Sequence, residues 1–459
     1  MNPSALAAAG DGAPALTPFV LAVAGVLFHQ VSRLWEQGLG GVAHTYAPVL
    51  VVRLPRRASV AAQLFALPAA LALALVPRSP AAHVLAVALL VLWTVSTQRR
   101  LADHALLGVV AAALFAFVPR ELHGAVARDL LIGVYLSAAL LKVNEEYLRS
   151  ERSAGRVVTA HYLGLLGLRP SAGFLGAAPY AVVFVEFAVG LALLVPGQEM
   201  WGLCAAILMH GAFGVSGNFP FSVLALALWV VTLTPPDAAA VDPGGGPLLW
   251  AAVAAGALTA LALGRTASGR RSVSYLGKDL FQGLVYGYLC GLALSAQPFA
   301  APPSGAGALV THLLVGAAFL VNLALVPIGL KLEWSFAMFS SLRPFGRSWI
   351  ERRPLAGHPR YYSLTLPARI PTKLLREVEP RFLYLATRQE NVVHESVAFC
   401  LEESARKCRT SFAPRLMALA EDARELTPVD SAAGTAPPRR RLLTYPAVVP
   451  KSLDRRYLA

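Results

Sequence analysis

Lys142 is the residue of this chain whose type and surroundings most directly suggest chemistry. It ends the apolar run Leu130–Leu141, and the polar residues Asn144 and Glu146 follow almost at once. An amine kept from water by apolar side chains is easier to hold neutral, and a neutral amine can act as a general base. The alternative is a lysine whose long side chain reaches the membrane interface and anchors the helix there.

Other ionisable side chains also stand in apolar surroundings. His104 follows Asp103 at the start of an apolar run, where it could cap a helix or bond a neighbouring acid. Glu186 and His210 each interrupt an apolar run near its middle. Because ionisable groups are costly inside a membrane, both are candidates for a polar pocket, or they satisfy each other.

The elements that must position these residues are apolar helices. The chain has 459 residues, of which 56% are hydrophobic and only 14% are charged, whereas a soluble domain carries about 25% charged residues. Apolar runs of roughly 15 to 23 residues recur from Ala15 to Leu330, long enough to span or nearly span a bilayer. We therefore predict an all-α polytopic membrane protein, a bundle of about ten or eleven transmembrane helices with a small α+β C-terminal extension.

The charge pattern predicts how the chain sits in the bilayer. The net charge is +14, but the arginines are spread through short loops and the tail, which favours cytoplasmic loops over a nucleic-acid partner. A multi-pass protein of a bacterial-type cytoplasmic membrane, with its C-terminus cytoplasmic, follows. The break Gly217–Pro220 indicates either a tight hairpin or a discontinuous helix.

The polar C-terminal region contains its own predicted elements. Arg360–Pro367 is a strand candidate, Pro371–Leu385 and Asn391–Lys407 are predicted amphipathic helices, and the end is a basic, loosely ordered tail. The predicted domains are a transmembrane domain, a small polar region and the tail, at 1–341, 342–430 and 431–459.

Several chemistries have no supporting motif. No HExxH, Walker-type glycine loop, GxSxG or CxxC stands in a suitable context, so metal-dependent hydrolysis, nucleotide hydrolysis and serine chemistry are disfavoured and no metal is predicted. The four cysteines show no pattern of a disulfide framework.

Four segments, in order, resemble the vitamin K-dependent gamma-carboxylases of the horizontally transferred transmembrane family. YLSAALLKVNEEY is similar to the family's lysine-bearing segment, with Lys142 at the position of the catalytic lysine and Tyr147 where tryptophan is usual. DHALLG resembles the asparagine–histidine segment, with His104 at the assisting histidine and Asp103 where asparagine is usual. The other two are MHGAFGVSGNFPFSVLAL, which contains His210, and LEWSFAMFSS, which contains Trp334.

The resemblance implies an enzyme that uses a reduced quinone, vitamin K or menaquinol, together with oxygen and carbon dioxide. The lysine would deprotonate the quinol, and epoxidation would generate a strong base that takes a proton from carbon in a peptide or small carboxylate substrate before carboxylation. Such a carbon–carbon lyase would suit a membrane site, because low water content protects a strong base.

Two readings without catalysis remain open. A transporter, or a scaffold that binds a quinone or lipid, would use Glu186 and His210 as a polar passage and the break near Pro220 as a gate or site. An accessory protein would instead dock a partner through its cytoplasmic tail, where Asn391–Lys407 and the run Arg439–Arg441 lie.

Overall fold

The computed structural model is mostly helical. It describes residues 80–96, 103–165, 167–214, 219–233, 246–267, 273–295, 304–330, 360–365, 391–407, 415–419, 426–428, 448–450 and a few single positions elsewhere. The helices before the C-terminal region are α1 Pro80–Ser96, α2 Asp103–Phe117, α3 His123–Lys142, α4 Glu145–Leu148, α5 Ala154–Leu165, α6 Ala172–Leu194, α7 Glu199–Phe213, α8 Phe219–Leu233, α9 Pro247–Ala267, α10 Val273–Ser295 and α11 Ala306–Ala324.

Three described helical segments, Arg120–Lys142, Ala172–Leu194 and Ala306–Ala324, are long and apolar enough to cross a membrane. The last of them, α11, leaves most of its leucines exposed, including Leu313 and Leu320. An apolar helix with an apolar outer surface is typical of a segment that faces lipid. The larger bundle of about ten or eleven spans stays a prediction, because the apolar segments of the other described helices are only 10–17 residues long, which is shorter than a full span requires.

Helix α8 forms the centre of the bundle. All of its 15 residues are buried, and α3, α7 and α10 pack around it. A helix that is apolar and buried on every side can only lie inside a bundle.

Helices α7 and α8, on either side of the break near Pro220, form an antiparallel pair. A side chain built on Gly202, near the start of α7, would lie 3.0 Å from the ring of Trp229, near the end of α8. The Ser222 hydroxyl also donates to the His210 carbonyl oxygen, at 2.8 Å. The two helices therefore run antiparallel, and Pro220 lies in the first turn of α8, where its missing N–H costs nothing.

Glycines bring α9 and α10 into backbone contact. Gly283, Gly287 and Gly291 recur every four residues on α10 and face Gly256 and its neighbours on α9. A Cβ on Gly287 would overlap the backbone carbonyl of Ala252. Small residues at this spacing are typical of close helix packing in membranes.

The elements of the C-terminal region are β1 Tyr361–Thr365, β2 Asn391–His394, α12 Glu395–Lys407, β3 Arg415–Leu419, β4 Leu426–Pro428 and β5 Val448–Pro450. The strands form a five-stranded antiparallel sheet of order β4-β3-β1-β2-β5.

The strand prediction at Arg360–Pro367 is confirmed by β1, but the helix predicted over Asn391–Lys407 is partly wrong. Residues 391–394 form β2, and only 395–407 are helical. Val392 and Val393 are buried in the ladder, and β-branched residues pack well there, so strand pairing outweighs the helical period. The tail predicted to be loosely ordered supplies β5, which pairs with β2. The helix predicted at Pro371–Leu385 lies outside the described residues.

Candidate functional site

Lys142 occupies the last turn of α3 on the face that points into the bundle. Tyr135, Ala138 and Lys142 line one cavity, as expected of residues three to four positions apart on a helix. The Lys142 side chain is 3% exposed, and its Nζ lies 2.8 Å from Oε1 of Glu186, which is 4% exposed. The amine is therefore turned into the protein, and the interface-anchor alternative for Lys142 is wrong.

Close packing of α3 on α6 brings the lysine and the glutamate together. Gly190 lies one turn after Glu186, and a Cβ there would come within 2.9 Å of the Leu136 side chain and 3.3 Å of Tyr135. The small residue lets α6 approach α3, so that Glu186 reaches across to Lys142. Lys142 also lies 3.5 Å from the Ala138 carbonyl oxygen, whereas Oε2 of Glu186 has no hydrogen-bond partner among the described residues.

The pair borders a small, mainly apolar cavity of about 120 Å³. Its polar residues include Asp103, Tyr135, Lys142, Tyr147, Thr159 and Glu186. Phe213, Phe221 and Phe336 supply aromatic walls. Phe336 has a φ of 60°, in the left-handed region that a bulky side chain rarely adopts, and its ring lies 5.3 Å from that of Phe319.

His210 does not pair with Glu186, so the expectation that the two satisfy each other is wrong. Its Nε2 lies 2.7 Å from the Tyr135 hydroxyl, which also accepts a hydrogen bond from Nε1 of Trp229 at 3.0 Å. Neither Tyr135 nor Trp229 stands out in the sequence, because an aromatic residue in an apolar run looks like ordinary core. The spacing of Tyr135 seven residues before Lys142 was the available signal.

Of the predicted pair Asp103 and His104, only Asp103 lies at the cavity beside Lys142. Asp103 lines the cavity, and His104 is buried beside it on α2. His104 is not among the described residues that line the cavity. The structure therefore brings Glu186, rather than His104, into contact with Lys142.

Of the polar residues after Lys142, Asn144 has a structural role. The Asn144 side chain caps α4 by accepting from the Tyr147 amide, and it donates to the carbonyl oxygens of Leu141 and Ser340. Glu146 does not line the cavity, although Tyr147 does. Burial, and then the negative charge of Glu186, raise the pKa of the Tyr147 phenol above its ordinary value, so it stays neutral. Trp334 lies outside the described residues.

A second, larger cavity of about 560 Å³ lies on the opposite side of α3, between α3, the end of α6 and α11. Its polar end holds Asp129 and His312, whose Nδ1 lies 2.6 Å and 2.7 Å from the two carboxylate oxygens. Arg128 lies beside them and donates to the Leu193 carbonyl oxygen at 2.6 Å. The rest of this second cavity, which we call the groove, is apolar and is lined by Leu136, Phe319, Leu320 and others.

The chain matches no protein-family model, no curated protein and no solved structure.

Proposed function

We propose that this chain is a multi-pass integral membrane enzyme, related in chemistry to the vitamin K-dependent carboxylases. In this proposal the Lys142–Glu186 pair is the base that acts on a reduced quinone. The observation that carries it is a lysine and a glutamate 2.8 Å apart, both buried and both lining a cavity with aromatic walls. The cytoplasmic C-terminal region and the His104 role belong to the same proposal.

The pair can accept a proton as a unit. In its resting form the pair holds one proton more than a neutral amine beside a carboxylate, so its net charge is zero. A second proton, taken from a ligand, leaves an ammonium beside a neutral acid, so the site changes from neutral to positive. That positive charge would stabilise the ligand anion in surroundings of low dielectric. The unpartnered Oε2 of Glu186 is the atom best placed to receive that proton.

The cavity fits a quinol ring in part. Its volume of about 120 Å³ is close to that of the roughly 150 Å³ cavity known to bind benzene. One ring therefore fits between Phe213, Phe221 and Phe336, while the rest of the molecule extends beyond. When bound, the quinol would supply the electrons for reducing oxygen, giving epoxide and water, and so the driving force for proton abstraction and carboxylation of a substrate.

The proposal predicts that epoxide formation depends on Lys142. Purified protein would be supplied with reduced menaquinone and oxygen, with and without carbon dioxide and a glutamate-containing peptide, and the epoxide measured by chromatography. Lys142→Ala is expected to lower the rate at least about 100-fold, the effect typical of a lost general base. Arg152→Ala, which changes an exposed basic residue, serves as the control and should retain the parent rate. Equal rates in the parent and Lys142→Ala would reject the proposal.

A non-catalytic quinone- or lipid-binding scaffold is the second candidate, and the groove of about 560 Å³ favours it. Gly316 lines this groove, and a Cβ there would meet no atom within 4 Å. Gly316→Leu should therefore fill the groove without a clash and reduce the amount of co-purifying lipid or quinone, measured by native mass spectrometry. Gly164→Leu is the control, because Gly164 also faces open space but is not a groove residue.

This candidate gains further support if such binding occurs without epoxide formation in the parent protein. Flux of a quinone across vesicles that is lost in Glu186→Gln would favour transport instead. Unchanged lipid content in Gly316→Leu would remove the groove as the binding site.

A further inference from the structure

Tyr135 lies between the cavity and two buried hydrogen-bonding side chains. Its hydroxyl accepts from Nε1 of Trp229 at 3.0 Å and lies 2.7 Å from Nε2 of His210. All three side chains are almost completely buried, and Tyr135 is also a lining residue of the cavity beside Lys142. The positions of the protons in these hydrogen bonds determine whether Tyr135 can donate a hydrogen bond to a ligand or only accept one.

A tyrosine hydroxyl can accept two hydrogen bonds and donate one. Trp229 uses one acceptor position, because an indole nitrogen only donates. Between Tyr135 and His210 either partner could donate, depending on which ring nitrogen of His210 carries the proton. If Tyr135 donates to His210, its hydroxyl hydrogen is not available to a ligand. If His210 donates to Tyr135, the Tyr135 hydroxyl hydrogen remains free to donate to a ligand in the cavity.

The surroundings of His210 favour its role as donor when the cavity is occupied. Nδ1 of His210 is buried and has no hydrogen-bond partner among the described residues. The rings of Phe213 and Phe221 lie beside the imidazole, with centroids 6.1 Å and 5.5 Å away. If Tyr135 donated to Nε2, the histidine proton would have to sit on Nδ1 as a buried N–H without an acceptor, an arrangement that folded proteins rarely keep.

We propose that Tyr135 donates its hydroxyl hydrogen to an oxygen anion of the ligand, and that a ring phenolate is the class of ligand the cavity takes. The ligand O–H bond breaks, its proton passes to the Lys142–Glu186 pair, and the electron pair stays on the phenolate oxygen. Tyr135 then hydrogen-bonds that oxygen, while His210 and Trp229 hold the tyrosine in place from behind. This inference rests on the proposed function in taking the cavity as a ligand site and the Lys142–Glu186 pair as the proton acceptor, but it requires no turnover.

The test uses 4-nitrophenol, a single-ring phenol of suitable size whose anion absorbs visible light. At a fixed pH, the absorbance of the bound phenolate is titrated against the parent protein, Tyr135→Phe and Tyr286→Phe. Loss of one hydrogen bond to a charged oxygen is expected to raise the Kd of Tyr135→Phe about tenfold to a hundredfold. Tyr286→Phe is the matched control, because the partly buried Tyr286 hydroxyl also makes a hydrogen bond, donating to the Ile207 carbonyl oxygen at 2.6 Å, but Tyr286 is not a cavity residue.

A second measurement separates ligand contact from a purely structural role. In protein labelled with ¹⁵N-histidine, and with His210 assigned by its absence in His210→Gln, the bound phenolate should fix the His210 proton on Nε2. Failure of the parent to bind phenolate, the same Kd in Tyr135→Phe, or a proton on Nδ1 in the complex would each overturn the proposal. Phenolate binding that depends on Tyr135 in a protein that forms no epoxide would support it while rejecting the proposed reaction.

Discussion

Lys142→Met is expected to abolish epoxide formation and to lower the free energy of unfolding by about 3–5 kcal/mol. The stability loss arises because Glu186, 2.8 Å from Nζ in the parent, loses its partner inside the bundle. When one member of a buried pair is removed, the other stays buried without a partner, so the free-energy cost of its lost solvation is no longer offset. The midpoint of chemical unfolding in detergent, followed by helical circular dichroism, measures this change.

The double variant Lys142→Met with Glu186→Leu separates stability from chemistry. Both replacements are apolar and close in size to the originals, so no buried charge remains. Such replacements of buried pairs are commonly neutral, or stabilising by about 1–4 kcal/mol. We therefore expect the double variant to recover the parent's unfolding midpoint but to form no epoxide.

Arg149→Met provides a control for loss of a basic side chain close to Lys142. Arg149 is exposed, and surface changes of this kind usually alter stability by less than about 0.5 kcal/mol. If Lys142→Met were as stable as the parent, the close ion pair would not exist in the folded protein. An active double variant would show that the pair is not the base.

Gly287→Leu is expected to have the second large effect, because it should force α9 and α10 apart. Even a Cβ at this position would overlap the Ala252 carbonyl and come within 2.8 Å of the Val253 Cα. Both contacts are with backbone, which cannot move aside as a flexible side chain can. Overpacking a core usually costs about 1–3 kcal/mol and occasionally more, and a leucine against backbone should reach the upper part of that range.

Gly277→Leu tests whether the effect comes from the contact rather than from leucine itself. Gly277 is on the same helix, and a Cβ there would meet nothing within 4 Å. Leucine is also a better helix former than glycine. A thermal unfolding scan should therefore show a clear drop in Tm for Gly287→Leu and no drop for Gly277→Leu. Equal behaviour of the two variants would contradict the close approach of α9 and α10.

The candidate site was predictable in its ionisable members but not in its contacts. Lys142, Glu186 and His210 stand out in the sequence because each places an ionisable group in an apolar run, where such groups are costly. The sequence does not show which of them meet, since that depends on the approach of α6 to α3 at Gly190. His104 was expected beside Lys142, but Glu186 holds that position.

The C-terminal region shows how strand pairing can outweigh a helical spacing of apolar residues. Val393, Val397 and Leu401 recur at a helical spacing, which predicts one helix through Asn391–Lys407. In the structure β2 lies between β1 and β5, because its valines fill the ladder and its backbone groups find partners there. Only the part from Glu395 onwards is helical.

The sequence by itself determined that this chain is built mainly from apolar helices, because hydrophobic composition and run length are local properties. It also determined which side chains are unusual enough to carry chemistry. The tertiary structure alone decided that Lys142 contacts Glu186, that Tyr135 lies between His210 and the cavity, and that α7 and α8 run antiparallel on either side of the break near Pro220. These contacts join residues far apart in the chain, and their geometry depends on how closely whole helices pack.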